Sequence, residues 1–395
     1  MTPSARVQAA IDLLDAVIAA AKGQGASADR IAADWFRARR YVGSKDRRAI
    51  RELVWSAIRA CGDVPVSGRA AMLRVAQGDA ALTALFDGSN YGPAPIKAGE
   101  AMATGGVAPG WLVERLAASG LDDQERAALL GRAPLDIRAN TLKISCEDLR
   151  ARLPVEAEPA IAPHALRLQS GTAVESLPEF AEGLFEVQDA GSQIACLALS
   201  VQPGEAVVDL CAGAGGKTLS LGAAMENRGE LLACDIDRPR LSRLPERAAR
   251  AGVLVQTRLL NPGREIEMLA DWQGRADAVM IDAPCSGTGT WRRNPEARWR
   301  LDTKAIDRYC AMQANVLGIG ASLVRPGGRL TYVVCSLLDA EGPDRIDTFL
   351  AVNPGWQVDM PPLPAGCPRG KGIRLTPFGD GTDGFFFATL VRRVN

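Results

Sequence analysis

Two cysteines stand where apolar runs end, and both are candidates for covalent chemistry. Ala276-Asp277-Ala278-Val279-Met280-Ile281-Asp282 leads into Ala283-Pro284-Cys285, and Arg329-Leu330-Thr331-Tyr332-Val333-Val334 leads into Cys335-Ser336. Short apolar runs closed by Pro, Gly or Ser predict buried strands. Each cysteine therefore sits where a strand gives way to a loop. A thiolate so placed can add to an electron-poor carbon such as carbon-6 of a cytosine, which makes carbon-5 an enamine carbon able to attack a methyl group on a sulfonium. Free cysteine ionises only near a pKa of roughly 8.5, so the thiolate needs help. Asp282 is the natural group to bond the N3 edge of the base and make carbon-6 electrophilic. For Cys61, Cys146, Cys196, Cys234, Cys310 and Cys367 the expectation is the ordinary one, a small buried hydrophobe.

A second block, Val207-Val208-Asp209-Leu210-Cys211-Ala212-Gly213-Ala214-Gly215-Gly216-Lys217-Thr218, reads as strand, glycine turn and helix start. Three ligands compete for it. A P-loop requires glycine where Cys211 stands. A dinucleotide fingerprint on Gly213 and Gly215 wants a third glycine at Thr218. An S-adenosyl-L-methionine loop fits both positions, and Asp235, at the end of the next apolar run, supplies a carboxylate for two ribose hydroxyls. That carboxylate suits NAD equally well. An NAD-dependent oxidoreductase would also need a proton donor near the nicotinamide, usually His, Tyr or Lys, and the sequence offers no obvious one by the loop.

Composition removes other chemistries. The only histidine is His164, in a Pro-rich stretch, which leaves little room for Ser-His-Asp or Cys-His catalysis. The nine cysteines form no Cys-x-x-Cys pair, so neither a zinc site nor a disulfide framework is expected. No run of eighteen apolar residues suggests a membrane span. Met1-Thr2-Pro3-Ser4-Ala5-Arg6 lacks the apolar core of a signal peptide, so a cytoplasmic protein is expected. Forty-six basic residues balance forty-six acidic ones, so any surface for nucleic acid must be local.

The elements that position these residues follow from periodicity. Residues 1–130 read as an all-helical domain. Val7, Ile11, Leu14, Val17 and Ile18 share one helical face behind a Thr2 cap and Pro3. Ser27 and Ser44 open further helices, and helical segments follow at Ala70–Phe86 and Trp111–Ala118. Residues 131–187 read as a small α/β domain with strands near Pro134–Ala139, Leu166–Gln169 and Gly183–Val187. Residues 188–395 alternate strands with helices, which predicts a doubly wound, mostly parallel α/β sheet. Its strands are expected at Ala206–Leu210, Glu230–Asp235, Val253–Leu259, Ala276–Ile281, Arg329–Cys335 and Phe385–Val391, the last antiparallel at one edge.

These motifs resemble the RsmB/Fmu-type (Sun family) S-adenosylmethionine-dependent RNA cytosine-5 methyltransferases. Asp282-Ala283-Pro284-Cys285-Ser286-Gly287-Thr288-Gly289 with Arg292-Arg293-Asn294-Pro295, then Tyr332–Ser336, then Leu375-Thr376-Pro377 with Gly381-Thr382-Asp383-Gly384-Phe385-Phe386, are similar to the family's blocks. The resemblance implies a class I methyltransferase fold behind a NusB-like helical domain and a small α/β RNA-recognition-like domain. It implies that Cys335 attacks, that Cys285 assists release, and that Asp282 acts with them. It implies a cofactor site of Cys211, Ala212, Gly213, Ala214, Gly215, Gly216, Lys217, Asp235, Arg240, Asn261 and Asp282. Where the family carries Thr before the nucleophile, Pro-Glu-Glu after it and Asp near the adenine, this chain has Val334, Asp339-Ala340-Glu341 and Asn261.

The densest basic run, Arg37 to Arg51, holds Arg39, Arg40, Arg47 and Arg48 beside Trp35, Phe36 and Tyr41. It could track phosphates and stack bases, whereas a solvated helix face is the plainer alternative. Arg292 and Arg293 are candidates for a phosphate near the target base. The expectation is a monomer that uses no metal or membrane and acts on RNA, small-subunit (16S) ribosomal RNA ahead of transfer RNA. The rival reading is a non-catalytic RNA-binding or ribosome-assembly protein that keeps the fold.

Overall fold

The computed structural model describes residues 1–23 and 25–394. They divide into two compact units, one of Met1–Arg132 with Thr290–Asp302, the other of Ala133–Gly289 with Thr303–Asn395.

The first unit is helical. Thr2 caps the helix Pro3–Lys22 by accepting from the Ala5 amide, and helices Ala28–Ala38, Ser44–Ala60 and Gly68–Ala76 follow. Leu13, Leu14, Val17, Ile50, Val54, Ile58 and Met72 form its core. The segment expected as one helix over Ala70–Phe86 is two, because Gly78 interrupts it and Asp79 caps a new turn at Ala80–Thr83 through the Leu82 amide. Helices Gly110–Ala118 and Asp123–Ala128 complete the first stretch.

The chain returns to this unit at Thr290–Asp302, which the periodicity assigns to the last domain. Arg298, fully buried, donates to the carbonyls of Ile58 at 2.6 Å and Cys61 at 2.8 Å, at the end of Ser44–Ala60. Trp299 donates to Cys61 as well and joins the helical core. Arg300 donates to the carbonyls of Gly25 and Ala26 just past the first helix, and Glu296 accepts from the Ala28 amide at the start of the second. Each charge thus meets the helix end whose unsatisfied groups and dipole favour it.

The second unit holds two sheets. In the smaller, β1 (Leu135–Ala139), β2 (Ala157–Pro159), β3 (Ala165–Leu168) and β4 (Phe185–Val187) run in the order β2-β3-β1-β4, all antiparallel. The helix Cys146–Arg152 packs Leu149 against Ile137, Leu166 and Phe185.

The larger sheet contains β5 (Ala206–Asp209), β6 (Glu230–Asp235), β7 (Gln256–Leu259), β8 (Ala276–Asp282), β9 (Val324–Val334), β10 (Trp356–Val358), β11 (Cys367–Arg369), β12 (Gly372–Leu375) and β13 (Phe385–Arg392). Its order is β11-β12-β13-β9-β8-β5-β6-β7, with β10 beside β13. The five strands β5 to β9 pair in parallel. Alternate residues serve opposite cores: Val207, Met280 and Val333 face one, Val208, Val279 and Val334 the other. The final strand is antiparallel to β9 as expected, yet it is not the edge, because the hairpin β11–β12 extends the sheet beyond it. Strand order reverses at β5, flanked by β6 and β8, so the carboxyl ends of these strands border the crevice where doubly wound sheets bind ligands. Among the described residues no helix is long and apolar enough to cross a membrane.

Candidate active site

β5 ends in a buried carboxylate and hands over to the glycine turn. Asp209 accepts from the Thr218 hydroxyl at 2.6 Å, and burial pushes its carboxyl up to about 7. Gly213 and Gly215 have φ of +55° and +86°, conformations that L side chains rarely adopt. A Cβ on Gly215 would lie 2.2 Å from Leu244, so this glycine answers to packing beneath the loop rather than to a ligand above it. Gly216 is the first residue of the helix Gly216–Ala224. The Ala212 amide donates to the Cys234 carbonyl, and the Ala214 carbonyl accepts from Arg247.

β6 delivers Asp235, 7% exposed, whose oxygens accept from the amides of Gly213 at 2.6 Å and Asp237 at 2.7 Å. The carboxylate thus fixes the turn it faces. Arg240 lies against Gly213, where an added Cβ would meet its guanidinium.

β8 and β9 are parallel neighbours with Asp282 opposite Val333. Cys285 and Cys335 emerge from them with their sulfurs 3.4 Å apart. The hydrogen bond to Cys335, then burial, then the charge of Cys335 push the Cys285 thiol well above its ordinary value. Either sulfur can be the donor across this contact. Lys217, from the helix after β5, reaches Asp282 at 2.7 Å. Burial alone would depress this ammonium, but the Asp282 carboxylate holds it above the usual lysine range, with Cys335 adding to the effect.

Cys211, Asp235, Arg240, Asp282, Cys285 and Cys335 are among the residues that line a cavity of about 690 Å³, which Lys217 and the glycine turn of residues 212–216 do not line. Ile236, Leu260 and Pro262 add apolar walls. A carboxylate for ribose hydroxyls, apolar surface for adenine and two thiols for a base suit a nucleoside sulfonium beside a pyrimidine. Asn261 is exposed and outside the lining, between Leu260 and Pro262 which belong to it, and its amide donates to the Met268 sulfur. Tyr309, Met312 and Asn315, from the helix Thr303–Leu323, also line the cavity. No motif singles them out, because their helical spacing is shared by any amphipathic face.

In the helical unit the basic run divides. Arg39 stacks on Trp35 at 4.0 Å, and Arg47 donates to the Val42 carbonyl at 2.8 Å. Arg37 pairs with Asp34, and Arg51 with Asp29. Arg40 and Arg48 are exposed, with no ion pair among the described residues. Arg40 shares a pocket of about 520 Å³ with Phe36, Arg37, Arg47 and Arg51. Arg292 is buried and Arg293 half-buried, so a phosphate would find Arg293 the more accessible of the two.

Residues 196–391 match the family described as 16S rRNA methyltransferase RsmB/F. Ribosomal RNA small subunit methyltransferase B of Pasteurella multocida is 33% identical over 73% of the chain, and its counterpart in Salmonella paratyphi A is 35% identical over 72%. The chain spans 66% of the length of each of these relatives. The crystal structure of PH0851 matches with a TM-score of 0.75 at 25% identity, over 99% of both chains. A methyltransferase homolog from Pyrococcus horikoshii matches with a TM-score of 0.60 at 27% identity, over 72% of this chain and 99% of that one.

Proposed function

The chain belongs to the RsmB/F family of 16S rRNA methyltransferases, and from that membership we propose that it methylates carbon-5 of a cytosine in ribosomal RNA. S-adenosyl-L-methionine supplies the methyl group on an electrophilic sulfonium. Asp235 would hold its ribose, and Cys211, Arg240 and Leu260 border the same cavity. The pair of sulfurs 3.4 Å apart at adjacent strand ends carries the reading, because this chemistry needs one sulfur to attack and a second group to take a proton.

The roles are those that the resemblance to the family's blocks implies. Cys335, on the side of the Lys217–Asp282 pair, is the nucleophile: its sulfur bonds carbon-6, and the displaced electron pair makes carbon-5 nucleophilic. Asp282 faces the pyrimidine edge, its charge steadied by Lys217. Cys285 stays protonated while Cys335 carries the charge. Once carbon-5 carries the methyl group, Cys285, its own proton released to solvent, would take the carbon-5 proton as a thiolate. The carbon-5 to carbon-6 double bond re-forms as the Cys335 thiolate leaves. Arg39, Arg40, Arg47, Arg48 and Arg293 are proposed as RNA contacts.

RNA carrying 5-fluorocytidine tests this, because fluorine cannot leave as a cation and the adduct persists. Wild-type protein with cofactor should form a nuclease-sensitive shifted band on a denaturing gel, and peptide mapping should place the attachment at Cys335. Cys335→Ser should form none, whereas Cys285→Ser should accumulate adduct even on ordinary RNA. Attachment at Cys285 reverses the roles. Absence of adduct in the wild type, with cofactor bound, supports a non-catalytic RNA-binding protein instead.

A further inference from the structure

A buried carboxylate behind the two cysteines belongs to none of the motif roles above. Glu341 has no exposed surface. One of its oxygens accepts from the Ser286 amide at 2.9 Å and from Gln313 at 3.0 Å. The other accepts from the hydroxyls of Ser286 and Ser336, the latter at 2.5 Å. Its own carbonyl accepts from the Tyr332 hydroxyl at 2.7 Å. No cation pairs with it among the described residues. Burying an unpaired carboxylate is costly unless hydrogen bonds replace its water, and here four donors do so.

The donors are what matter. Ser286 follows Cys285 and Ser336 follows Cys335, so a single carboxylate grips the residue after each sulfur. The two hydroxyls also touch each other at 3.1 Å, Thr288 bonds Ser336 at 3.2 Å, and Gln313 ties in the Pro284 carbonyl at 3.0 Å. Both cysteine loops are thereby fixed to one point on the side away from the cavity. We propose that Glu341 is the positioning residue of the two-cysteine site, setting the spacing of the sulfurs and holding a negative charge that keeps Cys285 a thiol while Cys335 attacks. The proposal rests on the covalent reading above. The charge of Glu341 is among the causes that raise the Cys285 thiol.

Glu341→Gln separates charge from shape. Its amide oxygen can take the place of the acceptor for Ser286 N–H and Gln313. Its NH2 group can donate to the two serine hydroxyls, which rotate to accept. The full-length variant should therefore melt close to wild type. The first measurement uses neither RNA nor cofactor: iodoacetamide alkylation of Cys285 across pH, followed by peptide mapping. The Cys285 midpoint should fall, so that its alkylation near pH 8 rises several-fold. The second is the single-turnover rate of adduct formation on 5-fluorocytidine RNA, which should drop tenfold or more with RNA affinity unchanged. Glu341→Asp, which keeps the charge, should restore the Cys285 midpoint even where its shorter reach leaves turnover slow. An unchanged alkylation profile and unchanged adduct rate in Glu341→Gln would overturn the proposal. So would a shift that Glu341→Asp reproduces in full. If wild type itself forms no adduct, the covalent reading fails, and the alkylation profile still decides whether Glu341 holds Cys285.

Discussion

Asp235 holds two backbone amides of its own, from Gly213 and Asp237, so its substitution removes more than a ligand contact. Asp235→Ala should weaken S-adenosyl-L-methionine binding by about 1.5–3 kcal/mol from the lost charged acceptor alone. The unfixed turn should add to that, and calorimetry with Asp235→Asn, which keeps one acceptor oxygen, should give a smaller loss. Asp209 makes a different prediction, one of pH. Its carboxyl is raised by burial to about 7, with Asp282 and Asp235 adding to the rise while Thr218 and Lys217 oppose it. A raised carboxyl binds its proton more tightly folded than unfolded, so its contribution is full at low pH and is lost as pH climbs from about 4 to 7. Asp209→Asn should therefore gain stability relative to wild type between pH 5 and pH 8, by roughly 3 kcal/mol at most. Urea melts at the two pH values measure this, and a difference independent of pH would show that the carboxyl does not titrate there.

Among the elements, the basic run on the helices Ala28–Ala38 and Ser44–Ala60 gives the sharpest expectation. Arg37, Arg47 and Arg51 have partners within the unit, which leaves Arg40 and Arg48 as its most available charges. Arg40→Gln with Arg48→Gln should weaken RNA binding and reduce the salt slope by about 1–2, with cofactor affinity unchanged. An unchanged slope would return the run to a solvated helix face. The elements also show what periodicity could and could not reveal. Strands β5, β6 and β8 were legible because each is apolar and ends at Asp, and β13 because its apolar run opens directly after Gly384. As fourth and fifth strands of a doubly wound sheet the two cysteine strands are expected side by side, and β8 and β9 do pair in parallel. The hairpin Cys367–Leu375 was hidden because Cys-Pro-Arg-Gly-Lys-Gly reads as loop, and only the exposed edge of β13 makes it a strand pair. Glu341 was hidden for another reason. It shows in the sequence only as the end of Asp339-Ala340-Glu341, a loop acid that looks solvated until the fold sets four donors around it.

At the level of the whole molecule, zero net charge means that the proposed RNA binding would have to rest on a local surface, not on a global field. The helical unit is also not a simple leader segment, because Arg298, Trp299 and Arg300 satisfy its helix ends from residues far along the chain. Arg298→Ala should cost this unit about 1–3 kcal/mol by taking the charged donor away from the buried carbonyls of Ile58 and Cys61. Limited proteolysis should then cut first within residues 1–132, and cutting spread evenly over the chain would count against a local effect.

That late return of Thr290–Asp302 sets a clock during synthesis. The ribosome finishes Arg132 roughly 160 residues before it reaches Thr290, which at bacterial-type elongation rates is on the order of 8–30 s. Through that interval the nascent helices carry open carbonyls at Ile58 and Cys61 and an unfilled place for Trp299. A region made first is therefore completed late, and its window of exposure to chaperones and proteases is fixed by the length of the sheet domain translated in between.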